Sequence, residues 1–201
     1  MAGTTTVHLI RHASYDLLGR VLAGRSPGHS LNARGRAEAA ALAASLAQLP
    51  LAAVVSSPLE RTRETAAPIA ERLGLSVAID DDLSEIDYGD WTGSPITELH
   101  ASPAWRRFNS FRGTAEIPGG ETMLAAQARA LRAVLRLRAA WPEHQIAVVS
   151  HGDIVKAVLA HFLAMPLELM RRMEISPASR SVLALHEADA CVLGVNLPPP
   201  G

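Results

Sequence analysis

The chain has 201 residues with 48% hydrophobic content, enough for a sizeable core, and its length fits one large domain. Its 19 basic and 20 acidic residues leave a formal net charge of -1, so no global field would recruit nucleic acid or an acidic membrane surface. No charged leader with a cleavage site and no bilayer-spanning stretch is found, and the single cysteine, Cys191, cannot form an internal disulfide. We expect a cytoplasmic protein.

A first strand is predicted over residues 7–10, where apolar, β-prone residues run directly into Arg11 and His12. A Gly-rich polar stretch over residues 19–30 has no periodicity and predicts a loop over the end of this strand. Asn32 then precedes an alanine-rich helix whose leucines have amphipathic spacing.

The second strand is predicted over residues 52–56 and runs into a helix start. Ser57 is a candidate N-cap, a proline stands at the first helical position, and a glutamate follows three residues after the cap. Within this helix Arg61 and Arg63 point in directions roughly 200° apart. We choose Arg61 to face the strand end, because Thr65 shares its side of the helix.

The middle of the chain contains shorter elements. Glycines and other turn-forming residues interrupt residues 83–93 too often for a long helix, so an ordered loop is predicted there. A short helix is predicted over residues 103–111, and the hydrophobic segment near residues 105–111 is a candidate homodimer surface. The other elements predicted here are a strand over residues 75–79, a short helix over 95–100, a turn over 118–121 and a long helix reaching about residue 141.

A fourth strand is predicted over residues 145–149, and it runs into Ser150 and His151. Ser150 can cap the next helix with Asp153 three residues later. His151 therefore stands at a strand end, as the histidine after the first strand does.

The last two strands are predicted over residues 181–186 and 191–197, paired as antiparallel edge strands. No repeat at solenoid spacing and no linker divides the chain. We assign residues 1–197 to a single domain and residues 198–201 to a disordered tail.

Several basic and imidazole side chains follow the predicted strands. Ligands of parallel α/β sheets bind outside the carboxyl ends of the strands, so these side chains should meet in one pocket. They are Arg11, His12, Arg61 and His151. Paired guanidinium donors suit an oxyanion, above all phosphate. A neutral imidazole whose other nitrogen is engaged as a donor can attack phosphorus, which makes His12 the candidate nucleophile and His151 a further hydrogen-bond donor.

Expelling an alkoxide from a phosphate ester requires a proton donor, and Glu85, Asp87 and Asp90 are the candidates. Each pocket residue also has an ordinary structural interpretation as a satisfied polar side chain. His8 and His12 would lie roughly 13 Å apart on a strand, so a metal hydrolase is the less favoured enzyme. A P-loop and a Gly-x-Ser-x-Gly elbow are both absent from the sequence.

Four segments, in order, resemble motifs of the histidine phosphatase, or phosphoglycerate mutase-like, superfamily. The match covers most of the chain. The segments are Leu9-Ile10-Arg11-His12-Ala13, residues 56–66, residues 83–93 and Val149-Ser150-His151-Gly152-Asp153.

The resemblance implies an α/β fold, a three-layer α/β/α sandwich with a mostly parallel central sheet. It implies a phosphohistidine intermediate on His12, with Arg11, Arg61 and His151 binding the phosphoryl group. Glu85 holds the position of the family's proton-donating glutamate. No metal and no cofactor are implied.

Two departures from the family pattern concern the phosphate site. Ala13 stands where the family usually has glycine, and the Asn that many relatives place shortly after the histidine is missing. Ser14, or the loop residue Arg25, is a candidate substitute for that Asn as a phosphate ligand. Glu121 belongs to a turn that resembles a family turn near the pocket and is a further candidate site residue.

The sequence therefore predicts a cofactor-independent phosphomonoesterase that hydrolyses a small phosphorylated metabolite through His12. Two alternatives remain: phosphoryl transfer of the phosphoglycerate mutase type, and a phospholigand-binding domain without turnover. Neither nucleic acid nor a membrane is an expected partner.

Overall fold

The computed structural model describes residues 3–198 as a six-stranded sheet covered by helices on both faces. The strand order is β3-β2-β4-β1-β5-β6. The strands are β1 Thr5–Arg11, β2 Leu51–Ser56, β3 Val77–Ile79, β4 Gln145–Ser150, β5 Arg180–Leu185 and β6 Ala190–Leu197. The helices are α1 Ala33–Leu46, α2 Glu60–Leu73, α3 Ile96–Ala101, α4 Pro103–Ser110, α5 Met123–Ala140 and α6 Gly152–Phe162.

Alternating side chains of the central strand β4 separate two apolar cores. Ile146 and Val148 pack with the core that contains α5 and α6, whereas Ala147 and Val149 pack with the core that contains α1 and α2. Successive residues of a strand point to opposite faces, so one continuous apolar strand serves both cores. The predicted three-layer fold is confirmed.

Four strands, β1 to β4, are parallel, and β5 and β6 continue the sheet in antiparallel pairing. The prediction that both C-terminal strands lie at an edge is wrong for β5, which pairs with β1 on one side and β6 on the other. An apolar strand paired on both sides gains a second ladder of hydrogen bonds. The mostly parallel character places the ends of β1, β2 and β4 at one edge of the sheet.

Both predicted helix caps are wrong, and the structure shows a further N-cap at Asn32. The Asn32 side chain accepts from the Gly35 amide at 2.8 Å, as an N-cap does. The N-cap position of helix α2 is Leu59, and that of α6 is His151. Ser57 and Ser150 are not caps, because both hydroxyls bind groups far away in the sequence, and Ser150 Oγ donates to the Leu83 carbonyl at 2.7 Å.

The aromatic segment around α4 is part of the core. Trp105 is 7% exposed and Phe108 is fully buried, and both rings pack against Trp91. Trp105 and Phe108 thus pack inside the chain, while Phe111 is exposed, and the homodimer surface near this segment stays a prediction. Burying the rings within one chain removes their apolar surface from water without a partner.

The chain is described to residue 198, and residues 199–201 of the predicted tail lie outside the described residues. The assignment of residues 1–197 to one domain stays a prediction. In the part that the structure describes, none of the helices combines the length and the apolar character needed to cross a bilayer.

Gly35, in the first turn of α1, holds this helix against the segment that follows β1. An alanine Cβ at this position would lie 1.9 Å from the Ser14 carbonyl oxygen. Helix propensity alone favours alanine over glycine by about 1 kcal/mol. We expect the clash to reverse that sign, so that Gly35→Ala lowers the free energy of unfolding by about 1–3 kcal/mol in urea denaturation.

Ala40→Gly, at an exposed position of the same helix, is the matched control. There glycine should cost about 1 kcal/mol through propensity alone. A Gly35→Ala variant that is more stable than the wild type would contradict the close packing of α1 on Ser14.

Candidate active site

The ends of β1, β2 and β4 meet at one edge of the sheet, as predicted. The His12 amide donates to the Ser150 carbonyl at 2.9 Å, and the Ser57 amide donates to the Val149 carbonyl at 3.0 Å. These backbone bonds hold the three chain segments together just beyond the strands. They border a cavity of about 200 Å³ whose polar lining includes Arg11, His12, Tyr15, Arg61, Glu85 and Lys156.

His12 is buried and is held as a neutral ring with one free nitrogen. Its Nδ1 lies 2.8 Å from the Ala13 carbonyl oxygen, which can only accept, so Nδ1 carries the proton and Nε2 carries a lone pair. Burial and the charges of Arg61 and Arg11 lower the pKa of His12 well below its usual value. The ring therefore presents an unprotonated nitrogen at neutral pH.

His151 is fully buried beside His12, with 5.3 Å between the ring centroids. Its Nδ1 lies 3.3 Å from Arg61 Nη2, and its Nε2 lies 2.9 Å from Ser57 Oγ. Because a guanidinium only donates, Nδ1 accepts and the proton lies on Nε2, which donates to the serine hydroxyl. Burial and the charge of Arg61 lower the pKa of His151 well below its usual value. In this arrangement its ring proton is engaged by Ser57, and donation to an anion stays a prediction.

The two arginines expected in the pocket line the cavity, and some of their N–H groups have no hydrogen-bond partner. Arg61 is 1% exposed, whereas Arg63 is exposed to solvent, so the choice between them is confirmed. Arg61 Nη2 donates to the Gly24 carbonyl at 2.7 Å. Among the described residues, its Nε and Nη1 and the Nε of Arg11 have no hydrogen-bond partner. A buried unpaired donor costs about 1–3 kcal/mol, and guanidinium groups that line a cavity with free donors favour an oxyanion as its ligand.

Gly152, the first residue of α6, lets Arg11 approach the start of this helix. An alanine Cβ there would lie 3.1 Å from Arg11 Nε. The amino end of α6, which carries the positive end of the helix dipole, therefore lies beside a guanidinium and lines the cavity. Both features favour a bound anion.

Glu85 places an acid in the same cavity, with 14% of its side chain exposed. Burial and the negative charge of Asp153 raise its pKa to about 7, against the opposing effect of Arg61 and Arg11. One carboxyl oxygen accepts from the Ile86 amide at 2.9 Å, and the other lies 3.9 Å from His151 Nδ1. Near neutral pH this carboxyl group is poised to give or take a proton.

Asp153 remains ionised behind Glu85. Its Oδ2 accepts from Arg112 Nη1 at 2.7 Å and from the Tyr88 hydroxyl at 3.0 Å. Burial alone would raise the pKa of Asp153, but the Arg112 guanidinium holds it below its usual value. This network cannot be predicted from local sequence patterns, because the spacing of Asp153 is that of a helix-cap residue and no local pattern marks Arg112.

Three predicted phosphate-site residues, His151, Ser14 and Glu121, are not among the residues that line the cavity, and neither is the candidate substitute Arg25. The Ser14 hydroxyl donates to Glu38 Oε1 at 3.0 Å, so its proton is already engaged. Glu121 accepts from Arg129 and Arg25 at 2.7 and 2.6 Å. Arg129 and Arg25 also donate to the Glu85 backbone carbonyl, at 3.0 and 2.7 Å. Through these two arginines, Glu121 stabilises the loop that carries Glu85.

Tyr15 and Lys156 line the cavity and were not singled out from the sequence. The Tyr15 ring lies 5.5 Å from the His12 ring and 5.5 Å from the Arg61 guanidinium carbon. Lys156 follows Gly152 by one helical turn, which is the spacing that could have placed it in the pocket. Within residues 3–198, no three His, Cys, Asp or Glu side chains are grouped as metal ligands would be.

Several known proteins with similar sequences and structures are named as phosphatases. A sequence model described as histidine phosphatase superfamily (branch 1) matches residues 7–198. Phosphoserine phosphatase 1 of Hydrogenobacter thermophilus is 30% identical over 193 residues, covering 94% of this chain and 90% of that protein. Glucosyl-3-phosphoglycerate phosphatase of Mycobacterium tuberculosis is 30% identical over 169 residues, covering 79% and 75%. The mycobacterial glucosyl-3-phosphoglycerate phosphatase in complex with inorganic phosphate superimposes with a TM-score of 0.83 and 26% identity, covering 96% and 98%.

The two pocket histidines should be distinguishable by NMR. Long-range ¹H–¹⁵N spectra should place the proton of His12 on Nδ1 and that of His151 on Nε2. Because both pKa values are lowered, both rings should stay neutral from about pH 8 down to about pH 6, where an unperturbed histidine already carries most of its charge. His12→Ala and His151→Ala variants assign the signals. An imidazolium signal from either ring near neutral pH would contradict the arrangement.

Proposed function

The chain belongs to the histidine phosphatase superfamily (branch 1), and from this premise we propose that it hydrolyses small phosphate monoesters through a phosphohistidine intermediate on His12. The observation that carries the proposal is the free Nε2 of His12 facing a cavity with unpaired guanidinium donors. A nucleophile and an oxyanion site are thereby adjacent. A cytoplasmic location is part of the same proposal.

In the first step, His12 Nε2 attacks phosphorus, the new P–N bond forms, and the P–O bond to the alcohol breaks. Arg11 and Arg61 stabilise the charge that is spread over the phosphoryl oxygens in the transition state. Glu85, protonated below its pKa of about 7, gives its proton to the departing oxygen. The alcohol leaves, and the phosphoryl group stays on the imidazole.

In the second step, a water molecule attacks the phosphorus of the phosphohistidine and the P–N bond breaks. The Glu85 carboxylate formed in the first step takes the proton of that water, which restores the acid for the next cycle. Inorganic phosphate leaves, and His12 returns to its neutral form. The chain's own groups perform both proton transfers, and we propose that no metal takes part.

A small substrate fits the size and walls of the cavity. Its volume is about 200 Å³, and apolar side chains from the loop after β1 and from the start of α3 form one wall. They are Leu18, Val21, Leu22 and Ile96. The names of the relatives, phosphoserine phosphatase and glucosyl-3-phosphoglycerate phosphatase, support a small phosphorylated metabolite as the substrate class.

Removal of the nucleophile should abolish turnover without unfolding the protein. We expect His12→Ala to lose detectable hydrolysis of 4-nitrophenyl phosphate, because the variant lacks the neutral imidazole that would carry the phosphoryl group. Rapid-quench labelling of the wild type with a ³²P substrate should yield an acid-labile, base-stable adduct at His12. The measurements are steady-state rates, mass spectrometry of the labelled peptide, and thermal unfolding as a check of the fold.

His100→Ala, which changes an exposed histidine outside the cavity, is the control and should retain activity. Activity should also survive a chelator, whereas its loss would indicate a metal enzyme. Transfer of label to an added alcohol in preference to water would indicate a mutase. Phosphate binding without turnover would indicate a binding domain.

Glu85→Gln should affect substrates according to their leaving groups. The amide cannot give a proton, so kcat/KM for an alkyl phosphate should fall by roughly 10²–10⁴-fold. An aryl phosphate with a good leaving group should lose far less, since kcat/KM reports the steps through release of the first product. In the wild type, kcat/KM for the alkyl ester should decline as pH rises through about 7, where Glu85 loses its proton.

Asp87→Asn, two residues further along the same loop, is the matched control, since the amide oxygen can still accept from the Gly89 amide. It should leave the leaving-group dependence as in the wild type. An equal loss on both substrates in Glu85→Gln would remove Glu85 from the role of proton donor.

A further inference from the structure

Lys156 is a pocket-lining cation that the proposed phosphoryl chemistry does not use. It lies on α6 one turn after Gly152, on the side of the helix that faces the cavity. Its side chain is half-buried. Among the described residues, no carboxylate oxygen lies within 4.0 Å of its ammonium group. A charge held in this way toward a cavity is available to a ligand.

The acids nearest to Lys156 do not neutralise it. Asp153 precedes it by three residues, but this carboxylate is already bound by Arg112 and Tyr88. Glu174 is exposed to solvent, where its attraction is screened. Burial lowers the pKa of Lys156, against the attraction of Asp153 and Glu174.

The charges in the cavity leave one cation in excess once a phosphoryl group is bound. Two negative charges of a phosphate monoester are matched by Arg11 and Arg61, and both pocket histidines are neutral. Glu85 is protonated in the form that starts the reaction. Lys156 then faces the remainder of the substrate with its charge uncompensated.

We propose that Lys156 is a specificity-determining residue that binds a carboxylate on the alcohol part of the substrate. The inference rests on the proposed phosphatase function and assigns a substrate class to it: phosphate monoesters that carry a carboxylate a short distance from the ester oxygen. A carboxylate, rather than a second phosphate, fits a cavity of about 200 Å³ that must also hold the phosphoryl group. A lysine is a compact point charge that suits such a group without demanding a paired geometry.

Two matched substrate series test this assignment. The first is ω-carboxyalkyl phosphates with one to three methylene groups, and the second is ω-hydroxyalkyl phosphates of the same lengths. We expect the wild type to prefer the acid over the alcohol by about tenfold in kcat/KM at the best length, the difference that one partly desolvated ion pair supplies. The preference should appear mainly in KM, since the carboxylate is bound equally before and during phosphoryl transfer.

Three variants separate a specific contact from a structural role. Lys156→Met keeps the length and the apolar stem but removes the charge, and the ratio of acid to alcohol should fall to about one. Lys156→Arg keeps the charge and should retain a preference for the acids. Glu174→Gln removes an exposed carboxylate whose attraction is screened, and it should leave the preference close to that of the wild type. Thermal unfolding of each variant checks the fold.

The outcomes distinguish failure of this inference from failure of the proposed function. Hydrolysis of both series by the wild type with no preference at any length overturns the role of Lys156 and leaves the phosphatase intact. An equal loss on acids and alcohols in Lys156→Met, with the ratio unchanged, also overturns it. If the wild type hydrolyses neither series nor an aryl phosphate, the phosphatase proposal fails and this inference falls with it.

Discussion

Arg61 is a buried cation, and within the described residues no carboxylate oxygen lies within 4.0 Å of it. The arrangement of the site depends on this one group. Its guanidinium holds the loop after β1 through the Gly24 carbonyl and fixes the tautomer of His151. It also lowers the pKa of both imidazoles in the pocket. Its backbone carbonyl accepts from Thr65 Oγ1, and that oxygen accepts in turn from the Ala13 amide, beside the proposed nucleophile. Burying this charge is costly in the unliganded protein, and an oxyanion offsets the cost.

A second group of charges lies behind the proposed acid. Asp153, compensated by Arg112, keeps its negative charge and raises the pKa of Glu85. Arg129, compensated by Glu121, holds the Glu85 backbone from the other side. Each buried charge in these pairs has a partner, so the network fixes the loop without leaving an unpaired ion. The arginines on the phosphate side of the cavity therefore carry positive charge and free hydrogen-bond donors. On the side of Glu85, each buried charge is paired with an opposite charge.

The elements and their order follow from local patterns in the chain. Asn32 directly precedes the first predicted helix and is its N-cap in the structure, and the 3.6-residue period selected Arg61 over its exposed neighbour. The same kind of pattern failed at Ser57 and Ser150, because a serine before a helix has an equally good use as a partner for a distant group. Likewise, the pattern of β5 shows an apolar strand but not how many neighbours pair with it.

The sequence by itself determined the strands, most of the helices and the set of side chains at the strand ends, since these depend on residues within a turn or a pleat of one another. Only the tertiary structure decided the protonated nitrogen of each histidine, the raised pKa of Glu85 and the exposure of Lys156 to the cavity. Those properties arise from contacts across the fold, such as the bond between Ser57 and His151, which are 94 residues apart. A tautomer or a pKa is set by burial and by the nearest charges, and neither is encoded in the spacing of neighbours along the chain.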